Sequence, residues 1–308
     1  MKTIDVSKLT QEQLDAHFVV SVKKNDGLAG FWLDAGANVN GILDWNESAL
    51  IYAIKNDNVE LAEMLIEAGI DVNGTDRFNE PLLFYVLDDV KWLNILAKGD
   101  LNVNARTNYV EDNTALLRAY YDKNEEVFDR LIELGIDIDA LSTSGVPILI
   151  ISISNGGIWL DKLIKSNANV NIRDRDGIPA FFFAIYYNEV DVLNKLIEAK
   201  VDLNLTIPHD EVTGLMITTK YEIASILIKN GANINARDAF GKTALIRHVH
   251  NYVNKFAYHE ESRKIIGLLL ESGADANVVP YDGKTALKLA RKSKDKELIN
   301  LIRKYTSE

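Results

Sequence analysis

A five-residue phrase of the form Gly-Ala-Asn-Val-Asn returns eight times along the 308-residue chain. Its copies stand at 36–40, 69–73, 100–104, 135–139, 167–171, 200–204, 231–235 and 273–277. About ten residues after each copy comes a small or apolar triplet, whose second position is Ala49, Leu82, Ala115, Ile148, Ala180, Gly214, Ala244 or Ala286. These positions are 33, 33, 33, 32, 34, 30 and 42 residues apart. Paired phrases in such register predict a stack of small repeats.

Each period predicts a hairpin turn, a short first helix, a polar break and a second helix. Seven residues past the Val or Ile of the phrase stands a residue that tolerates positive φ: Asn46, Asn79, Gly145, Gly177, Gly241 or Gly283. In the repeat of Asn46, Ser48 is a good N-cap for a helix over 48–54. The second helix, over 59–68, places Leu61, Met64, Leu65 and Ala68 on one face, and Gly69 ends it.

The phrase, the Asp-x-x-Gly-x-Thr turn at 238–243 and the Thr-Ala-Leu triplets at 114–116, 243–245 and 285–287 resemble the ankyrin repeat family. The resemblance covers roughly residues 10–306. It implies an all-α solenoid of about nine stacked helix-turn-helix units with β-hairpin loops, occupying 1–308 as a single domain. The family's usual histidine after Thr-Pro-Leu is missing, and its place holds Ile51, Phe84, Leu117, Ile150, Phe182, Met216, Ile246 and Lys288. Apolar packing must replace the histidine's hydrogen bonds.

The ends and the irregular repeats give further expectations. A capping box over 10–13 opens an N-terminal capping repeat at about 10–40, and a lysine-rich, solvated capping repeat covers about 277–306. Residues 105–113 lengthen one hairpin, and residues 217–223 shorten the link between two helices. The 42-residue interval contains an insertion at about 251–259, which we expect to extend a first helix and its loop. Such length changes are where binding diverges among repeat proteins.

Composition excludes several classes of chemistry. The chain has no cysteine, so thiolate metal sites, disulfides and cysteine nucleophiles are ruled out. It carries 34 Lys and Arg against 45 Asp and Glu, a net charge of −11, which favours a basic protein partner and disfavours nucleic acid. No signal peptide or membrane-length apolar run is present, so we expect a cytoplasmic monomer that contacts no membrane.

No cofactor or metal is expected. The triplets at 241–243 and 283–285 read Gly-Lys-Thr, but the further glycine that a phosphate-binding loop requires is missing, and both lie at the ordinary repeat turn. His248, His250 and His259 stand near Glu260 and Glu261, a set of residue types that can bind zinc. Residues two apart on a helix point to different faces, so we interpret them as polar surface histidines.

The remaining candidate functional residues are aromatic and histidine side chains that we expect on the surface. The ankyrin resemblance implies that partners contact the hairpin tips and the exposed side of the first helices, which line a concave groove. The tip positions hold Trp45, Phe78, Tyr109, Phe240 and Tyr281, and the groove-side ends of the first helices include Tyr121, Tyr186, Tyr187 and His250. Large aromatic side chains are enriched at interface hot spots, although they could also pack on the neighbouring hairpin. Phe181 and Phe182 instead begin a helix and are assigned to the core.

The sequence therefore predicts a non-catalytic protein-binding scaffold. Four alternatives stay open at this point. The chain could be an inhibitor or immunity protein that neutralises a toxin or enzyme, or a bacterial effector delivered into a host cell. A metal-dependent enzyme built on the histidine-rich insertion is less favoured, and so is nucleic-acid binding through the basic C-terminal repeat.

Overall fold

A computed structural model of the protein describes residues 5–41, 43, 47–107, 114–256 and 259–307. The chain divides into two compact units, Met1–Ser144 (unit 1) and Gly145–Glu308 (unit 2). Within the described residues, both units consist of paired helices joined by short loops, and the pairs number nine. The all-α repeat fold predicted from the sequence is confirmed.

Unit 1 contains four helix pairs. They are α1 (Gln11–Lys24) with α2 (Ala29–Asp34), α3 (Ala49–Lys55) with α4 (Val59–Glu67), a 3-10 helix (Leu82–Tyr85) with α5 (Val90–Leu96), and α6 (Ala115–Tyr121) with α7 (Glu125–Glu133). A 3-10 turn, Val6–Lys8, precedes α1. Helix α1 packs against α3, and α5 lies between α4 and α7, so first helices and second helices form separate rows.

Unit 2 contains five helix pairs. They are α8 (Ile148–Ser154) with α9 (Leu160–Lys165), α10 (Ala180–Tyr187) with α11 (Val190–Glu198), α12 (Gly214–Ile217) with α13 (Tyr221–Lys229), α14 (Ala244–Val253) with α15 (His259–Glu271), and α16 (Ala286–Ser293) with α17 (Lys296–Arg303). The first helices α8, α10, α12, α14 and α16 pack in sequence order. One strand pair, β1 (Thr206–Ile207) and β2 (Val212–Thr213), joins antiparallel in the hairpin before α12.

Every first helix from α3 onward begins at the residue that the repeated triplet predicts. Local chemistry explains this regularity. Thr114 and Thr285 each accept a hydrogen bond from an amide three residues later, at 3.2 Å. At other starts the residue before the helix is a proline, whose ring fixes its own backbone in an extended conformation, as at Pro179 with φ −66° and ψ 146°. Ser48 occupies its predicted N-cap position, but its hydroxyl makes no capping bond.

Across the described ranges the five-residue phrase forms no strand, and its polar side chains instead form hydrogen bonds within the phrase and to the next repeat. Its third residue, Asn or Asp, accepts a bond from the amide two residues later, as Asn233 does from Asn235 at 3.0 Å. Its fifth residue accepts a bond from the amide of the third residue of the next phrase. These inter-repeat bonds, which we call the asparagine ladder, are 2.7–2.8 Å long and have as acceptors Asn40, Asn73, Asn104, Asn171, Asn204 and Asn235. After the last phrase, Asn277 accepts instead from the amide of Ser307, at 2.9 Å. The ladder sets the spacing between neighbouring repeats within each unit.

Positive φ occurs at the turn positions predicted for it. Asn79 has φ +62° and Gly241 has φ +74°, and Gly145, Gly177 and Gly283 are similar. Asn46, the sixth predicted turn residue, lies outside the described residues. Gly69, at the end of α4, has φ +82°, which confirms it as the residue that ends the helix.

The core lies between the two rows of helices. At six of the eight positions of the absent family histidine, apolar packing takes its place: Ile51, Leu117, Ile150, Phe182, Met216 and Ile246 are all at most 2% exposed. Phe84 is half-buried and Lys288 is exposed, so the expectation is wrong at Lys288. Phe181 is fully buried, which confirms its assignment to the core together with Phe182. In α4, Leu61 and Leu65 are buried as predicted, whereas Met64 is 37% exposed. The Met64 side chain lies against Gly30 of α2, at the margin of the core.

The two length changes in unit 2 alter helices and not only loops. The shortened repeat loses most of its first helix, because α12 has only four residues. The insertion lengthens the first helix α14 to ten residues, as expected, and also gives the second helix α15 thirteen. The hairpin insertion at 105–113 lies mostly outside the described residues.

Candidate functional site

We call the hairpin tips and the exposed ends of the first helices, taken together, the tip face. In unit 2 the two meet, because Phe240 of a hairpin and His250 of α14 line one cavity. Among the predicted tip residues, Phe78 is 54% exposed, Phe240 is 51% exposed and Tyr281 is 82% exposed. Trp45 and Tyr109 lie outside the described residues. The described tip aromatics therefore present large apolar area to solvent.

The predicted residues on the first helices are also exposed. Tyr121 ends α6 and is 47% exposed, while Tyr186 and Tyr187 end α10 and are 75% and 46% exposed. The rings of Tyr186 and Tyr187 meet edge to face, with centroids 5.2 Å apart. His250 is exposed on α14, and its ring centroid is 5.9 Å from that of Phe256.

In unit 1, a buried carboxylate fixes the tip that carries Phe78. Asp76 accepts hydrogen bonds from the amides of Phe78 and Glu80 at 2.7 and 2.9 Å, and from the hydroxyl of Tyr85 at 2.6 Å. Burial raises the pKa of the Tyr85 hydroxyl, and its bond to Asp76 raises it further. Burial opposes ionisation of Asp76, but the bonds from Tyr85 and the two amides keep its pKa below the ordinary value. Tyr85 thus stays protonated and ties its helix to the hairpin.

Unit 2 repeats the same arrangement with a different donor. The buried Asp238 accepts bonds from the amides of Phe240 and Lys242 at 2.9 and 2.8 Å, and Arg247 of α14 forms an ion pair with it at 2.6 Å. Tyr85 and Arg247 occupy equivalent positions, because each is the fourth residue of its helix. Both tips are therefore preorganised, because three donors fix one buried carboxylate.

Neighbouring tips of unit 2 are in contact. The amide of Tyr281 donates to the carbonyl of Phe240 at 3.1 Å. A side chain added at Gly241 would meet the Tyr281 ring at 3.3 Å. Tyr281 consequently packs one edge on the preceding hairpin while most of its surface stays exposed.

A cavity of about 450 Å³ opens on this part of the tip face. Its lining combines side chains of the hairpins with those of α14 and α16, among them Phe240, Lys242, His250, Lys284 and Lys292. Sequence reasoning missed the lysines. The available signal was the pair of Gly-Lys-Thr triplets, whose lysines Lys242 and Lys284 line this cavity.

The histidines do not form a metal site. His248 is only 1% exposed, so its interpretation as a surface histidine is wrong. Its Nε2–H donates to the carbonyl oxygen of Leu215 at 3.1 Å, and burial lowers its pKa to about 4. The ring of His259 instead lies 6.3 Å from that of Tyr252. Throughout the described ranges, no group of three or more His, Asp or Glu side chains could hold a metal ion.

The fold and its tip face define a protein of stacked helix-turn-helix repeats. A family model described as Ankyrin repeat matches residues 45–77. An ankyrin repeat protein of Acanthamoeba polyphaga mimivirus is 27% identical over 201 residues, 62% of this chain. One from Fowlpox virus is 29% identical over 144 residues, 44% of this chain. The ankyrin repeat protein YahD of Escherichia coli is 25% identical over 178 residues, 56% of this chain. These matches identify ankyrin repeats in this chain.

The matched segments make up 25% of the mimivirus protein, 42% of the fowlpox protein and 85% of YahD. The chain thus spans less than half of the two viral relatives. In the part of the chain that the structure describes, the helices are too short or too polar to cross a membrane. Ankyrin repeats indicate a protein-interaction scaffold.

Proposed function

We propose that this chain binds a folded protein partner through the tip face and catalyses no reaction itself. The observation that carries the proposal is the exposure of Tyr186 and Tyr281, which is 75% and 82% of their surface. Aromatic side chains of this kind are the usual anchors of protein interfaces because they bury much area with few rotatable bonds. The buried carboxylates Asp76 and Asp238 support it further, since they preorganise the tips and lower the entropic cost of binding.

The polar side chains that enzymes commonly use have structural partners here. His248 bonds a backbone carbonyl, Arg247 pairs with Asp238, and Tyr85 pairs with Asp76. Each of these groups holds one repeat element against another. These structural roles support a scaffold over a reaction centre.

The partner surface that meets unit 1 is basic in this proposal. Unit 1 contains 12 Lys and Arg against 26 Asp and Glu, whereas unit 2 contains 22 against 19. The acidity of the chain is therefore concentrated in unit 1, and complementary charge favours a basic partner there.

The test begins with affinity capture of partners by the tagged full chain from its source cell, identified by mass spectrometry. The captured partner is then titrated against the wild type and the double variant Y186A/Y187A. We expect the dissociation constant to rise at least about tenfold, because hot-spot aromatics each contribute about 2 kcal/mol.

Tyr221→Ala is the matched control. Tyr221 is 43% exposed on the second helix α13, away from the tip face. We expect this variant to bind as the wild type does. Equal weakening by Y221A, or unchanged binding by Y186A/Y187A in a folded protein, would contradict the proposed surface. A toxin or enzyme among the captured partners, inhibited on binding, would specify the scaffold as an inhibitor.

A further inference from the structure

The cavity in unit 2 has a charge opposite to that of the chain as a whole. Lys242 and Lys284 reach it from successive hairpins, and Lys292 reaches it from α16. The ring of Phe240 forms an apolar part of the lining, with the Lys242 ammonium group 5.8 Å from its centroid. The cavity thus combines three ammonium groups with an aromatic surface.

The lysines are not neutralised by their neighbours. A single carboxylate, Asp282, faces two of them, at 3.7 Å from the Lys242 Nζ and 3.3 Å from the Lys284 Nζ. The backbone amide of Lys284 is the main cause that lowers the pKa of Asp282, so this carboxylate is ionised and still offsets only one of the two charges.

The other charged groups of the lining do not cancel the excess positive charge of the lysines. Arg247 is matched by the buried Asp238 at 2.6 Å. Lys292 is exposed and has no ion pair within the described residues, and the exposed Asp210 is the second carboxylate of the lining, which offsets its charge. Burial lowers the pKa of His250, and the charge of Lys242 lowers it further, so that ring is neutral at pH 7. The lining therefore keeps one net positive charge.

We propose that this cavity receives an Asp or Glu side chain from an extended segment of the protein partner, held by Lys242, Lys284 and Lys292. An apolar neighbour of that residue packs on Phe240. The inference rests on the proposed function, and it specifies that the partner places an acidic side chain in the cavity of unit 2. A carboxylate fits because it supplies the second negative charge that the two hairpin lysines lack, in a recess that partly excludes water. Unit 2 thus selects acidic residues, whereas unit 1 selects basic ones.

The probe is a fluorescein-labelled heptapeptide of six glutamates with one central phenylalanine, titrated by fluorescence anisotropy against the full chain at low salt. Its twin with glutamine in place of glutamate keeps the shape without the charge. We expect the glutamate peptide to bind about fivefold or more tightly than the glutamine twin, as two or three partly exposed ion pairs allow. Equal binding of the two peptides would overturn the proposal.

Matched variants localise the site. The double variant K242Q/K284Q should lose the preference for the glutamate peptide. The control K200Q/K229Q removes two exposed lysines of unit 2 that lie outside the cavity, and it should keep the preference. Loss of the preference in the control, or its survival in K242Q/K284Q with an unchanged melting temperature, would overturn the site.

A phosphoserine twin of the peptide separates carboxylate from phosphate. Tight binding of the phosphoserine peptide with none of the glutamate peptide would overturn the assignment to an acidic side chain. Failure here is distinguishable from failure of the proposed function. A captured partner that is lost on Y186A/Y187A supports the proposed surface even if every peptide fails to bind.

Discussion

At the scale of single residues, the side chain of His248 supplies a hydrogen-bond donor that the short helix α12 lacks. The first helix α12 ends after four residues, so its carbonyl groups lack the amides that a longer helix would supply. His248 of the next repeat donates its Nε2–H to one of them, at Leu215. The other ring nitrogen, Nδ1, is buried with no hydrogen-bond partner. A proton there would place a charge in the core.

Acidification should therefore destabilise the protein through His248. Burial lowers its folded-state pKa from 6.5 to about 4. The unfolded chain binds the proton more tightly, so stability is complete above about pH 6.5 and falls between about pH 6.5 and about pH 4. We expect His248 to account for about 2 kcal/mol of lost stability at about pH 5, as measured by urea denaturation at two pH values.

His248→Gln is the control for this titration. The glutamine amide can donate to the Leu215 carbonyl but does not ionise in this range. The variant should lose less stability on acidification than the wild type does. Identical pH dependence in the two proteins would show that other groups cause the acid sensitivity.

At the scale of elements, the short helix α12 comes unusually close to its neighbour. A side chain added at Gly214 would lie 2.6 Å from the Ile185 Cδ1 and 2.9 Å from the Phe181 Cε2, both on α10. Gly267 in the middle of α15 has nothing within 4 Å of the same added atom. Two helical glycines of one unit thus have opposite surroundings.

Gly214→Ala and Gly267→Ala should change stability in opposite directions. Alanine favours a helix over glycine by about 1 kcal/mol, and at 267 this gain is unopposed. At 214 the added methyl group forces α10 and α12 apart, which costs about 1–3 kcal/mol. Thermal denaturation followed by circular dichroism should give a lower melting temperature for G214A and a higher one for G267A. A higher melting temperature for both variants would show that packing at α12 does not limit stability, and a lower one for both would contradict the gain expected at Gly267.

The first helices show which parts of the fold can be predicted from sequence. Their starts depend on a triplet and the residue before it, and these local signals placed all of them from Ala49 to Ala286 correctly. The 30-residue interval indicates a shortened repeat, but the burial of His248 against the end of α12 crosses a repeat boundary and has no local signal. The cavity lysines Lys242 and Lys284 are 42 residues apart, so only the packed structure shows that they share one carboxylate. For Trp45 and Tyr109 the tip assignment stays a prediction.

At the scale of the whole molecule, charge is distributed unevenly between the two units. Unit 1 has 14 more acidic than basic side chains, and unit 2 has 3 more basic than acidic ones. The net charge of −11 therefore describes neither unit. The two proposals therefore give the partner opposite signs of charge, basic where it meets unit 1 and acidic where it meets the cavity of unit 2.

Long-range attraction to unit 1 should govern how fast the captured partner associates. Fields from exposed charges extend about 10 Å at about 0.1 M salt and mainly change association rates. The triple variant E60Q/E67Q/E126Q, which removes three exposed carboxylates of unit 1, should slow association about twofold to fivefold at low salt. Surface plasmon resonance at two salt concentrations measures this rate.

The matched triple variant in unit 2, E198Q/E222Q/E271Q, removes the same charge from exposed positions. It should leave the association rate unchanged, because attraction of a basic surface depends on where the acidic field is concentrated and not on total charge. At about 0.5 M salt all three proteins should associate at similar rates, since screening removes the difference. Equal slowing by both triple variants at low salt would mean that the partner responds to the net charge of the chain alone. The proposal that a basic surface of the partner meets unit 1 would then be contradicted.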